Sequence, residues 1–557
     1  MSRRKVLEAL SGLLLGMFVS MLAATVVSTS LPVIVHDLNG DQSVFTWVVT
    51  ATLLTTAIST PIWGKLADLF DRKLLIQLAL ALFVLATAAA GFSQDAGTLI
   101  TFRAVQGLGA GGLAALSQVL MADIISPRER GRYMGLFGGV MALATVGGPL
   151  LGGFITDGIG WRWNFFVAIP FAIAAFVILQ RTLHVPRTRR RAVRIDYVGI
   201  VLLSTAVSLL LVWITNAGKN YEWLSTETAL MVGGAVAATV AFIVVELRSR
   251  EPLIPLSLFR NHTFTLSVIA SIATGLAMFG AAVYLGQYMQ MSRGATPAEA
   301  GLLTIPMMGG LLVTSILVGQ LISRFGRWKS YMIGGSLALI AGSVLLSTLR
   351  YDTPYLLVAL YMFLLGAGVG ATMQNLVLVV QNTARPEQMG TASSGVTFFR
   401  SLGGTIGVSV MGAALATSVT EGFANSREQI SAVLAPLGEK GLAVAAQLQS
   451  GALPAVRTLP AGLRTIVEDI YAQGIAHSFL IAVPLAIVSF IAIVFLPNRP
   501  LTRMTTAERL AAGEADLATF TASEGMDSLP ASGHGPGSAT ADASPGNASR
   551  SGRQADR

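Results

Sequence analysis

Long apolar runs separated by short polar clusters recur along the chain as far as about residue 498. A helix needs about 20 predominantly apolar residues to cross the hydrocarbon core of a bilayer. By that measure the chain has candidate spans at 10–34, 44–67, 74–93, 97–121, 133–156 and 164–183. A pair follows at 197–216 and 226–246, and a last group at 263–287, 298–322, 330–349, 355–379, 391–416 and 475–496. The pattern predicts an all-α membrane protein with 14 transmembrane helices grouped six, two and six. Residues 417–474 read as an external loop with short apolar-patterned pieces such as LAVAAQLQ, suited to helices lying on the outer surface. Residues 501–557 become rich in Ala, Ser, Gly and Pro and lack apolar periodicity, so they read as a disordered cytoplasmic tail.

Composition supports this reading. Of 557 residues 53% are hydrophobic and only 12% charged, against about 25% charged in soluble domains. The N-terminal MSRRK precedes an apolar run that continues to about Val35, too long for a signal peptide, so it reads as the first anchor. The net charge of +9 sits in short clusters between apolar runs rather than in a basic stripe with interleaved aromatics, which excludes a nucleic-acid partner. The clusters Arg3–Lys5, Arg72–Lys73, Arg128–Arg132, Arg187–Arg194, Arg248–Arg260 and Arg324–Lys329 fall on one side of the predicted topology. Because basic short loops stay inside, both termini are expected to be cytoplasmic, in a multi-pass protein of a bacterial-type inner (plasma) membrane. Absence of cysteine excludes disulfides and thiolate metal sites. The five histidines are scattered, and no H-E-x-x-H, G-x-S-x-G or Walker lysine motif occurs. No enzyme activity, metal or cofactor is therefore expected, and ATP-driven pumping is disfavoured.

The chain also repeats itself. GKLADLFDRKLLI from Gly64 matches GQLISRFGRWKSYMI from Gly319 at an offset of 255. GLGAG at Gly107 and GAGVG at Gly366 each lie 20 residues before a proline, Pro127 and Pro386, with Gly131 and Gly390 four residues further on. Two homologous six-helix halves, 1–184 and 260–500, are implied, with 197–246 as an inserted hairpin. Secondary transporters are commonly built from such halves and hold substrate between them near the bilayer midplane.

The segment GKLADLFDRK resembles the loop motif of the major facilitator superfamily, with Gly64, Asp68, Arg72 and Lys73 on its characteristic positions and Asp71 where a glycine is usual. Asp68 at the end of the second span is suited to accept hydrogen bonds from a nearby arginine or from a helix N-terminus and so to latch an inner gate. LITFRAVQGLGAGG resembles the family's second motif. It places Arg103 in the membrane, either at a functional site or bonded to backbone carbonyls to hold helices together. GGVMALATVGGPLLGG, with Gly139, Gly147, Gly148, Pro149, Gly152 and Gly153, resembles the fifth-helix motif of the superfamily's antiporters, which implies export. Together with WRWNFF from Trp161 and the count of 14, the match narrows to the 14-helix drug:proton antiporter (multidrug efflux) family. The resemblance implies proton-coupled export of lipophilic drugs, antibiotics and dyes by alternating access, and hence a role in antibiotic resistance. A lipid or glycolipid exporter or flippase on the same fold is the alternative, with a possible cell-envelope partner at the external loop.

One departure from the family pattern concerns the first span, where Ala23 stands in place of the acid that members often carry. No carboxylate falls clearly at midplane, which leaves Asp123 and Asp157, both near span ends, as candidate proton carriers. With Arg103 and Arg400 in the fourth and thirteenth spans, the interior reads as neutral to positive, suited to neutral or weakly acidic lipophilic compounds. Gln106, Gln287, Gln374 and Asn375 are candidate cavity-lining groups. Glycines four apart, such as Gly148 and Gly152, let a neighbouring helix approach closely. Pro149 removes a backbone hydrogen bond, and the resulting contact is expected to seal the path between the halves against leak.

Overall fold

The computed structural model describes residues 3–38, 42–125, 158–183, 196–217, 221–249, 251–295, 297–385, 388–437 and 459–502, together with scattered positions between 129 and 156 and the single positions 456 and 508. The first half contains α1 (Arg3–Asp37), α2 (Gln42–Leu69), α3 (Arg72–Gly91) and α4 (Ala96–Ile124). We label as α5 the described residues of 139–156, all helical, and as α6 Ile169–Thr182, which follows a single turn at Trp163–Phe166. The inserted pair is α7 (Tyr197–Asn216) and α8 (Thr226–Arg248). Then come α9 (His262–Met291), α10 (Ile305–Phe325), α11 (Lys329–Leu346), α12 (Tyr355–Thr383), α13 (Met389–Asn425) and α14 (Ala461–Phe495). Twelve helices among the described residues are long and apolar enough to cross a membrane, and the threonine-rich α2 and partly described α5 stand outside that count.

Helix starts follow local chemistry. Asp71, Asp95, Asp196, Ser225 and Asn261 each cap a helix by accepting a backbone N–H of its first turn, which satisfies donors that the helix itself leaves open. Asp95, outside α4, takes the N–H of Thr98 at 2.9 Å, and that bond holds its carboxyl below the usual range.

Two boundaries differ from expectation. The described residues of the predicted loop 417–474 are largely helical: α13 continues to Asn425, a further helix spans Arg427–Leu434, and α14 already begins at Ala461. The extra turns of α14 are amphipathic rather than uniformly apolar, which a hydropathy count misses, and Arg464 and Glu468 pair along them at 2.7 Å. LAVAAQLQ lies outside the described residues, as does nearly all of 501–557.

The repeat is visible in the packing. On α4, a Cβ added to Gly107 would lie 2.4 Å from the Thr52 carbonyl oxygen of α2, and one on Gly111 2.6 Å from that of Thr56. On α12, the corresponding positions Gly366 and Gly370 would meet the α10 carbonyls of Met307 and Leu311 at 1.9 and 2.3 Å. Gly109 abuts the α3 backbone at Phe83 as Gly368 abuts α11 at Leu339. In each set, alternate glycines let one helix touch two neighbours at backbone distance, which is how apolar helices gain packing energy where lipid removes the hydrophobic drive. Hydroxyls add to this on α2, where Thr52 and Thr56 donate to the α4 carbonyls of Arg103 and Gly107 at 3.1 Å.

The pair α7–α8 lies against the rest through one apolar cluster. Leu203, Val207, Leu211 and Phe242 meet Leu253 and Ile254 of the following segment and Phe398 of α13, with Ile58 and Ile62 of α2 beside them.

Candidate functional site

Asp68 is one point where helices of the two repeated sets are joined. It lies in the last turn of α2, is 5% exposed, and its carboxylate accepts the N–H of Gly390 at 2.7 Å and the N–H and hydroxyl of Thr391 at 2.9 and 2.7 Å. These groups open α13, so the anion sits on the positive end of that helix. Gly64 and Gly390 make the approach possible. A Cβ on Gly390 would lie 2.2 Å from the Gly64 carbonyl oxygen, and one on Gly64 1.9 Å from the Ser394 hydroxyl.

Arg72 stands behind Asp68. Its guanidinium bonds directly to Asp123 of α4, donates to the Ala67 carbonyl at 2.8 Å, and comes within 3.9 Å of Asp68. Asp71, at the usual glycine position, caps α3 through the N–H of Lys73 at 2.9 Å, while the Lys73 ammonium reaches the Gln180 carbonyl at 2.7 Å. These contacts together form one polar layer at a single end of the bundle. Asp123 belongs to this layer as the partner of Arg72, while Asp157 lies outside the described residues.

Above this layer the interior carries two buried guanidiniums. Arg103, 3% exposed, donates to Gln106 at 2.7 Å and weakly to the Val48 carbonyl at 3.4 Å, and Gln106 donates onward to Thr87 at 2.8 Å. Arg400, 6% exposed, reaches only the Met373 carbonyl, at 3.4 Å, among the described residues. Neither has a carboxylate partner among the described residues. Ala23 is buried in the apolar cluster of the first half with Leu13, Leu113 and Leu116.

The four candidate lining groups fall into separate environments. Gln106 belongs to the Arg103 network. Gln374 accepts from Gln118 of α4 at 3.1 Å, and Gln381 donates to the Gln118 carbonyl at 3.2 Å, so these amides join α4 to α12. Asn375 bonds back to Ala371 of its own helix at 2.7 Å, and its side-chain oxygen is buried without a partner among the described residues. Gln287 is half-buried on α9.

On α5 the close contact is with α1, in the same half. A Cβ on Gly148 would lie 2.0 Å from the Thr25 hydroxyl and one on Gly152 2.5 Å from the Val26 carbonyl oxygen. Thr25 donates to the Ala144 carbonyl at 2.9 Å. Gly147 faces open space, and Gly139 approaches Leu312 of α10, in the other half, at 3.1 Å. These two tight glycines therefore bind α5 to α1 rather than across the halves. Pro149 and Gly153 lie outside the described residues.

Reasoning from sequence passed over Gln118, Gln381 and Ser394, because polar residues within glycine-rich helices carry no signal of which neighbour they meet. It also passed over Glu246 and Asp196, whose signal was available: carboxylates at the ends of otherwise apolar spans.

A helical bundle with repeated packing, whose two repeated sets are clasped at one end by a single carboxylate, is the build of a secondary membrane transporter. The chain belongs to the major facilitator superfamily, whose sequence model matches residues 13–408. It is a transporter and not an enzyme. It is 36% identical over 406 residues to the multidrug transporter protein MdtP of Bacillus subtilis (strain 168), covering 73% of this chain and 74% of that one. It is 30% identical over 505 residues to multidrug resistance protein 3 of the same organism, covering 89% and 96%. Among solved structures, the proton:xylose symporter XylE superposes with a TM-score of 0.59 at 15% identity, over 92% of this chain and 100% of that one, a likeness of fold alone.

Proposed function

We propose that the protein is a proton-coupled exporter of lipophilic small molecules that works by alternating access in a bacterial-type inner membrane with both termini in the cytoplasm. The observation that carries alternating access is the Asp68 clasp on Gly390 and Thr391. It joins the two sets of helices through three hydrogen bonds to one anion, so it can open as a unit without breaking either helix. On this reading the polar layer around it acts as the inner gate, which is closed while Asp68 holds the start of α13. Similarity to multidrug transporters along most of both chains, and the antiporter-type glycines of α5, support export. Neutral or weakly acidic compounds fit the interior best, because Arg103 and Arg400 supply positive charge that no described carboxylate offsets. Protons supply the driving force, and no bound cofactor is needed.

The test is a resistance and accumulation screen in cells expressing the protein, using chloramphenicol, nalidixic acid and ethidium as neutral, acidic and cationic probes, with and without a protonophore. The proposal expects lowered accumulation of the first two, abolished by the protonophore. Unchanged accumulation of every probe, or efflux indifferent to the protonophore, would overturn it. A parallel labelled-lipid translocation assay separates drug export from a lipid flippase.

A further inference from the structure

Arg103 and Arg400 are both buried, yet they are held differently. Arg103 is bound within the first half: it donates to Gln106 at 2.7 Å, and Gln106 passes the bond on to Thr87 of α3 at 2.8 Å. Between Arg103 and Asp123 lie about five to six turns of α4, so Arg103 sits roughly 30 Å along that helix from the polar layer. Arg400 follows Thr391 by only about two and a half turns of α13, roughly 14 Å, which brings it near the middle of a hydrocarbon core about 30 Å thick. A guanidinium is a planar fork of several N–H donors. That of Arg400 makes one long bond, 3.4 Å to the Met373 carbonyl, and no carboxylate stands beside it among the described residues.

The neighbouring helix is shaped around Arg400. α9 and α13 run side by side in the same direction, since Gly395 meets Phe264, Arg400 meets Gly275 and Met411 meets Gly280. A Cβ on Gly275 would lie 2.2 Å from the Arg400 carbonyl oxygen and 2.9 Å from its Cγ, so a glycine there makes room for the arginine stem. A helical side chain leans toward the N-terminus of its own helix, here toward Ser271, one turn before Gly275 on the same face of α9. The Ser271 hydroxyl is fully buried and has no hydrogen-bond partner among the described residues. One turn the other way, the Phe279 ring of α9 lies against Gly404 of α13. Met373 directly precedes Gln374, which accepts from Gln118 of α4, so the guanidinium reaches α12 beside a contact between the halves.

We propose that Arg400 is the specificity-determining residue for acidic substrates: its guanidinium binds the carboxylate of an aromatic acid, with the Ser271 hydroxyl as a second donor and Phe279 beside the ring. Arg103 holds helices of the first half together and does not take the carboxylate. The inference rests on the reading of the protein as an exporter of lipophilic compounds. A desolvated cation with unused donors is unfavourable, and a planar carboxylate relieves it through two parallel N–H···O bonds. A neutral compound offers apolar contact alone, so the site ranks an acid above its own neutral ester. A position near the midplane suits a group that alternating access exposes to each side in turn.

The test compares calorimetric binding of ionised nalidixate and of its neutral ethyl ester to the full chain in lipid nanodiscs. Because the carboxylate is removed from the ligand, the wild type alone already gives a result, whether or not a variant folds. The wild type is expected to bind the acid about tenfold or more tightly than the ester. Arg400→Met should abolish that preference, Arg400→Lys should keep part of it through the charge without the fork, and Arg103→Met should retain it while melting at a lower temperature. Equal affinity of the wild type for acid and ester would overturn the assignment. So would a preference that survives Arg400→Met, one that disappears in folded Arg103→Met, or an Arg400→Met that weakens both ligands alike, as a mere tie between helices would. Export is measured separately in vesicles with a proton gradient: if neither nalidixate nor chloramphenicol moves, the export reading fails, whatever the binding ratio.

Discussion

At the scale of single residues, the carboxylate of Asp68 is worth more than any apolar contact near it, because hydrogen bonds to an ion contribute about 1.5–3 kcal/mol each in buried settings. Asp68→Asn keeps the shape but gives up the charge on the α13 N-terminus. The expected result is a shift of the gate equilibrium toward opening by about 2 kcal/mol, roughly 30-fold in population, read as the spin-label distance across this end. Glycines in α5 give a graded comparison. Gly152→Ala must displace the Val26 backbone and should lower thermal stability by about 1–3 kcal/mol, whereas Gly147→Ala enters open space and should leave both melting and efflux near wild type. Equal melting temperatures for the two variants would contradict the α1–α5 contact. Asp68, Arg72 and Gly64 were legible in the sequence because a contiguous loop motif carries them. Thr391 and Ser394 were not, and Gly390 was legible only as part of the repeat, because they lie more than 300 residues away and only folding sets them against α2.

At the scale of helices, the repeat was legible as spaced glycines, and the structure shows why the spacing matters. Gly107 and Gly366 each stand against the carbonyl of a neighbouring helix, so Gly107→Ala and Gly366→Ala should each cost about 1–3 kcal/mol by forcing helices apart. Gly334→Ala, in α11 with nothing within 4 Å, should be neutral or stabilise by about 1 kcal/mol through helix propensity. Thermal melting in detergent or nanodiscs separates the two outcomes. The ends of α13 and α14 were less legible, since a count of apolar residues stops where a helix becomes amphipathic. The partner of the α5 glycines was not legible at all. A G-x-x-x-G spacing shows that some helix comes close, yet whether α1 or a helix of the other half fills the groove depends on tertiary packing.

At the scale of the molecule, the proposed function gives the clasp and the interior guanidiniums a place in one cycle. Under the proposed function, the clasp would close one end, the interior would take a lipophilic solute, and the proton gradient would give direction. The substrate preference belongs to this scale because it depends on the summed charge of the interior rather than on one contact. With Arg103 and Arg400 unopposed by described carboxylates, competition assays should rank chloramphenicol and nalidixic acid ahead of ethidium. A ranking that puts the cation first would mean that another group reverses the field. The central claim is proton-driven export, and inside-out membrane vesicles test it most directly. Acidifying the vesicle lumen should drive accumulation of the compound picked out by the screen, and collapsing the pH gradient should release it. Accumulation that proceeds equally without a gradient, or none in either condition, would contradict the account.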